Sequence, residues 1–279
     1  MLPGNPAGRS LAELVPVIET LIHEREPQTI KGLDHYIPPH LPKTLWNELG
    51  DLLSRGENEI IPNIPGERWI SLRLDGSNFS QTIRILRQKG ILEETQFSEP
   101  FATCMRHCTL ALMETLRGKL GYTQSDELTI LIPPAPVVRG KQQGHHRAGR
   151  TTKLTTLAAS LVTAKFNLLL AHICVDRGHP ELLEHLLQIS PHFDCRLASY
   201  LTFQEAQGLV LWRAHDCSTN GVSDAVYQTP GTGEIKNKGS HDKLVWLHAQ
   251  DRLPLPSHQA YGTLYSRVKV TKDSFDPRT

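Results

Sequence analysis

The sequence predicts an α+β fold of the split βαββαβ type, a ferredoxin-like arrangement, and three patterns carry that expectation. RWISLRLDG (Arg68–Gly76) alternates Trp69, Ser71 and Arg73 against Ile70, Leu72 and Leu74, the period of a strand. GYTQSDELTILIPP sets polar Gln124–Glu127 between Tyr122 and a β-rich run to Ile132, as a tight hairpin tip does. Two helical stretches, about Glu99–Leu120 and Thr151–Val175, follow the first strand and the hairpin in turn, and HFDCRLASY (His192–Tyr200) reads as the fourth strand.

The elements follow in order. Residues 1–66 carry two helical patterns, Ser10 to about Glu24 and Lys43 to about Ser54, separated by IPPHLPK and closed by IPNIPGE. The first strand then leads to a turn at Asp75-Gly76. In the next helix Phe101, Cys104, Cys108, Leu112 and Leu116 recur at three and four, with Gly118 and Gly121 framing its stop. After the hairpin, Pro133–Arg150 is a Pro, Gly and His-rich loop whose charges, Arg139, Lys141, Arg147 and Arg150, are all positive, with Lys153 just beyond. The long helix has small Ala158, Ala159, Ser160 and Ala164 for close approach. A helix from about Thr202 to Ala214 follows the fourth strand. GTGEIKNKGS lacks the ending of a phosphate loop and reads as a linker. LVWL and GTLYSRVKV suggest short closing strands, and the tail after Lys272 reads as frayed. The chain divides into an N-terminal helical extension (1–66), a central catalytic domain (67–228) and a C-terminal loop with short strands (229–279).

Composition bounds the partners. The 279 residues suffice for one large domain with appendages. A formal charge of +1 supplies no overall positive field, so nucleic-acid contact has to come from a local patch such as Arg139–Lys153. Five cysteines without framework spacing indicate a reducing compartment, with a cytoplasmic location expected and a mitochondrial one the alternative. No run approaches the length of a membrane span. Cys104, His107 and Cys108 share a helical stretch without a second ligand pair and read as core packing, not zinc. His145-His146 reads as an exposed loop pair, and Trp212 as core.

The chemistry sits at two turns. A split sheet brings the end of its first strand beside its central hairpin tip, so Asp75 and Asp126 meet there, with Glu127 nearby. Hard cations choose such oxygen ligands, and two Mg²⁺ ions about 3.5–4 Å apart need bridging carboxylates plus phosphate oxygens. Taken alone, Asp75-Gly76 is an ordinary strand-ending turn and Gln124–Glu127 an ordinary solvated tip; the pair together suggests the site. Phe193, Asp194 and Arg196 either orient the sheet there or simply hold a strand end.

RLDG-SNF (Arg73–Phe79), GYTQSDE (Gly121–Glu127), KLTTLAAS (Lys153–Ser160), FDCR (Phe193–Arg196) and WRAHDC (Trp212–Cys217) in this order closely resemble the tRNA-histidine guanylyltransferases and their guanylyltransferase-like relatives. The resemblance implies a polymerase-type palm that adds nucleotides to a tRNA 5′ end in the 3′→5′ direction, with Mg²⁺ as cofactor and ATP and GTP as substrates. It implies that Asp75, Gly76 and Asp126 bind two metals and that Asp75, Asp126 and Glu127 are catalytic. It places Ser77, Asn78, Phe79 and Ser125 along the nucleotide, Arg150 and Lys153 on triphosphate, and Asp216 and Asn220 near the activation site. A homo-tetramer is implied as well. Two positions depart from the family. Ser218 stands where the histidine-specific enzymes carry a histidine, as in many relatives that repair truncated tRNAs. Glu99 stands where the family has a triphosphate-binding lysine. The competing expectations are a catalytically weak RNA- or nucleotide-binding paralogue and, on the same palm, a nucleotide cyclase.

Overall fold

Alternation along Trp69–Ser77 (β1) sorts its side chains onto two faces, and helices cover both. The computed structural model describes residues 9–24, 42–58, 63–77, 79–92 and 97–268. Its helices are α1 (Leu11–Glu24), α2 (Lys43–Asn58), α3 (Phe79–Gln88), α4 (Glu99–Leu116), α5 (Thr151–Asp176), α6 (Leu182–Ile189), α7 (Phe203–Tyr227), α8 (Ser240–Ala249) and α9 (Ser257–Ala260). After β1 the strands are β2 (Leu120–Gln124), β3 (Glu127–Ile132), a short ribbon of β4 (Val137–Val138) and β5 (Lys141–Gln142), β6 (His192–Tyr200) and β7 (Thr263–Ser266). The main sheet runs β6-β1-β3-β2-β7 with every pair antiparallel.

Ile70, Leu72, Leu74, Leu128, Ile130 and Ile132 point to one face, where they pack with Phe101, Met105, Cys108 and Leu112 of α4 and Leu154, Val162 and Phe166 of α5. Each such side chain stabilises the fold by about 1.5–3 kcal/mol on burial. Cys104, Cys108 and Cys174 lie in this same core as free thiols. The helix α5 is long and apolar enough to cross a membrane by length and composition alone, and a row from Leu154 to Cys174 packs one face of it into the core.

The opposite face carries Tyr122, Leu131, Ala198 and Tyr200 onto α1, α2 and α7. Trp46 of α2 stacks on His215 of α7 with ring centroids 4.4 Å apart. A Cβ at Gly208 would lie 2.8 Å from Val15. The stretch expected as an extension therefore shares its core with the sheet.

Several expectations need correction. β1 does not turn at Asp75-Gly76: the ladder to β6 continues through Gly76↔Phe193 and Ser77↔His192. Glycine is required at 76 because a Cβ there would lie 2.6 Å from the Phe79 ring. α4 stops on Arg117 in the left-handed region, φ 57°, while Gly118 and Gly121 serve the approach to Met113 instead. α3 and α6 were absent from the sequence pattern. α7 runs on to Tyr227 from a Thr202/Glu205 capping box. LVWL lies in α8, where Leu244 and Leu247 are buried against α7 rather than forming a strand. GTLYS does provide a strand, β7, on the β2 edge. Asn78 and the tail beyond Val268 lie outside the described residues.

Candidate active site

Asp75 sits on β1 between two carboxylates, with Glu127 opposite it on β3 and Asp194 opposite it on β6. Directly opposed residues of an antiparallel pair have Cβ atoms about 4.5–5.5 Å apart on one face. The residue before Glu127 is Asp126, in the two-residue connection between paired Gln124 and Glu127. Ser125 takes φ 45° to make that turn, and its Oγ donates to Asp126 Oδ1 at 3.2 Å.

Burial pushes the Asp126 carboxyl above its usual range, and the Asp75 charge adds to the push against hydrogen bonds from the backbone and Ser125. Burial likewise raises Glu127, opposed chiefly by Arg213 and helped by Asp75. Two like charges in a half-dry place are what a cation relieves. Among the described residues no group of three or more His, Cys, Asp or Glu side chains forms a ready metal site. Mg²⁺ needs no such group: one or two carboxylates with substrate phosphates suffice, and the all-oxygen pair Asp75 and Asp126 fits it.

Glu127 faces α7. Arg213 Nη2 lies 2.5 Å from its Oε2, and Arg73 Nη1 lies 4.0 Å from its Oε1. The same Arg213 nitrogen donates to Asp216 Oδ2 at 2.9 Å, and Asn220 Nδ2 donates to that oxygen at 3.0 Å. Asp216 and Asn220 thus reach the carboxylate end through Arg213, a residue that the sequence placed on a helix but not in the site. Its only signal was a cation just before the acidic residue of WRAHDC.

Other candidates lie elsewhere. Phe79 turns its ring into the core: it is buried among Phe101, Phe166 and Phe193, with centroids 5.0–6.0 Å away. Ser77 ends β1 opposite His192. Arg150 bridges to Asn63, and Ile64 N–H donates to Gly149 O at 2.8 Å, so the start of α5 lies at the lead into β1. Further along α5, Thr163 Oγ1 accepts from Phe193 N–H at 3.1 Å, and Phe193 is the partner of Gly76. At 1.5 Å per helical residue, Arg150 and Lys153 stand roughly 15–20 Å along α5 from Thr163, at the end of the helix away from that contact. They line an open cavity of about 380 Å³ with Asn63, Thr152 and Thr156.

The two departing residues touch one element. Arg106 holds the Glu99 carboxyl below its usual range through a short hydrogen bond, and His258 of α9 lies 3.2 Å from it. His258 Nε2 also meets Phe97 O at 2.6 Å. Ser218 Oγ lies 3.0 Å from Ala260 O, again on α9. A narrow crevice between Phe97, Phe101, Ser125, His258 and Thr263 lies against the hairpin tip.

A sequence model described as tRNAHis guanylyltransferase matches residues 57–201. An uncharacterised protein of Acanthamoeba polyphaga mimivirus is 24% identical over 81% of this chain and 79% of its own length. A probable tRNA(His) guanylyltransferase of Mus musculus is 28% identical over 57% of this chain and 47% of its own. Two solved structures share the fold, each with a TM-score of 0.59 over 78% of this chain. One is a bacterial tRNA(His) guanylyltransferase-like protein in complex with ATP, 22% identical over 88% of its own chain. The other is the Saccharomyces cerevisiae tRNA(His) guanylyltransferase, 20% identical over 96% of its own.

Proposed function

The chain belongs to the tRNAHis guanylyltransferase family, and from that premise we propose that it is a Mg²⁺-dependent nucleotidyltransferase extending the 5′ end of a tRNA in the 3′→5′ direction. The observation that carries this is the meeting of Asp75 and half-buried Asp126 at one end of the sheet. The strand order β6-β1-β3-β2 supports a ferredoxin-like palm as the platform.

Asp75, Asp126 and the Gly76 carbonyl would hold two Mg²⁺ ions. When bound, Mg²⁺ supplies charge neutralisation on the triphosphate and lowers the pKa of the attacking hydroxyl. The protein's own part is positioning. The left-handed turn at Ser125 aims Asp126, and the β1 ladder holds Asp75 in register with Glu127. Ser125, at the turn beside Asp126, suits the nucleotide, ATP for activation and GTP for addition. By the family resemblance Asp216 and Asn220 stand near the site of 5′ activation. Arg150 and Lys153 stand too far from Asp75 within one chain to share its triphosphate, and their open, cationic cavity suits the RNA backbone.

The test is a radiolabel extension assay with Mg²⁺, ATP and GTP on full-length histidine tRNA, 5′-truncated tRNAs and 5′-triphosphorylated RNA. Extension of truncated tRNAs assigns repair, and extension of full-length histidine tRNA assigns identity-nucleotide addition. No extension on any of the three overturns the proposal and leaves a silent binding paralogue.

A further inference from the structure

Arg213 is buried on α7, with its guanidinium carbon 4.8 Å from the centre of the Trp212 ring; that of Arg73 lies 5.8 Å from the same centre. Its Nη2 joins two elements at once, Glu127 Oε2 at 2.5 Å and Asp216 Oδ2 at 2.9 Å. Gln124 Nε2 donates to the same Glu127 oxygen at 3.3 Å, so both residues flanking the Ser125-Asp126 turn belong to the network. Arg213 Nε is buried without a hydrogen-bond partner, a desolvation cost borne by a side chain whose other end is fully engaged.

We propose that Arg213 is a positioning residue: by gripping Glu127 it sets the aim of Asp126 one residue earlier, and by gripping Asp216 it ties the polar row of α7 to the same tip. Glu127 is then a tie to α7, not a metal ligand or an acid–base group. This rests on Asp75 and Asp126 being the transfer site. The pair is mostly buried, 9% and 16% side-chain exposure, so removing the cation alone leaves Glu127, beside Asp75 and Asp126, with only the more distant Arg73 at 4.0 Å to answer it. Removing both charges does not. Both contacts leave one nitrogen, Nη2, at the end of a planar guanidinium, a position that the flexible stem of a lysine ammonium does not fix as well.

The experiment measures kcat and the GTP KM for addition to 5′-triphosphorylated RNA with Mg²⁺, each variant held below its unfolding transition. Arg213→Gln is expected to lower kcat about 100-fold, as a displacement of about 1 Å does, with KM within about threefold. Arg213→Lys is expected to fall between it and the wild type. Adding Glu127→Gln to Arg213→Gln is expected to restore about tenfold in kcat, because the Glu127 charge that Arg213 balanced, and its repulsion of Asp75, are then gone. A double variant slower than Arg213→Gln would overturn the proposal, since Glu127 would then act on the reacting groups itself. So would an Arg213→Gln enzyme with wild-type kcat. The two readings fail separately: Asp126→Ala at the wild-type rate overturns the transfer site, whereas loss of rescue with Asp126→Ala inactive overturns only the role of Arg213.

Discussion

The two ends of β1 carry opposite chemistry. At its C-terminal end Asp75, Asp126, Glu127, Asp194 and Asp216 gather around the sheet edge, answered by Arg213 and Arg73. At the lead into the strand Arg150 and Lys153 face an open cavity at the start of α5. One end is half-buried, with carboxyl groups raised by desolvation; the other is exposed. The difference teaches that a half-buried acidic end favours short-range contacts with cations, whereas an exposed cationic end can offer a polyanion only weaker, salt-dependent contacts.

The largest effect that can break this comparison is at the carboxylates. Asp75→Ala and Asp126→Ala are each expected to slow single-turnover extension of 5′-triphosphorylated RNA about a thousandfold, and a rate within about tenfold of wild type would remove the end's assigned role. Next comes the opposite end. Arg150→Ala with Lys153→Ala should weaken RNA binding about tenfold at low salt and make the salt slope shallower by about 1.5, with the GTP KM unchanged. A raised GTP KM with RNA affinity intact would move these cations to a triphosphate.

Smaller effects sharpen the electrostatics. Glu99→Lys replaces a carboxylate paired with Arg106 and His258 by a third cation, so the melting temperature should fall by a few degrees with no gain in nucleotide affinity. A tighter GTP KM would show that position 99 reaches the triphosphate. The smallest concerns Asp126 without metal. Its folded carboxyl is raised, so its ionised form costs stability as pH climbs through and above the ordinary carboxylate range and costs nothing well below it. Asp126→Asn should therefore melt slightly higher than wild type at pH 8, and the gap should close toward pH 4. A gap that widens on acidification contradicts the burial of this group.

Much of this was legible in the sequence, and the misses have local causes. β6 has the bounds its alternation predicts, because a half-buried strand writes period two into its residues. The expected end of α7 near Ala214 was wrong for the opposite reason. Ser218, Thr219, Asn220 and Gly221 are poor helix formers, but small residues are needed where α9 approaches: a Cβ at Gly221 would lie 2.1 Å from Gln259 O. LVWL has strand composition, yet its buried positions are three apart.

By itself the sequence determined the four strands β1, β2, β3 and β6 and the hairpin tip that carries Asp126, because periodicity and turn chemistry are set by neighbours along the chain. Only the tertiary structure decided that Arg213 grips Glu127, that Phe79 packs inward beneath Gly76, that Glu99 and Ser218 both meet α9, and that Arg150 and Lys153 lie at the far end from Asp75. Those outcomes depend on strand order and on which helix crosses which face, and both are decided by burying two sheet faces at once, a condition that no local stretch of residues records.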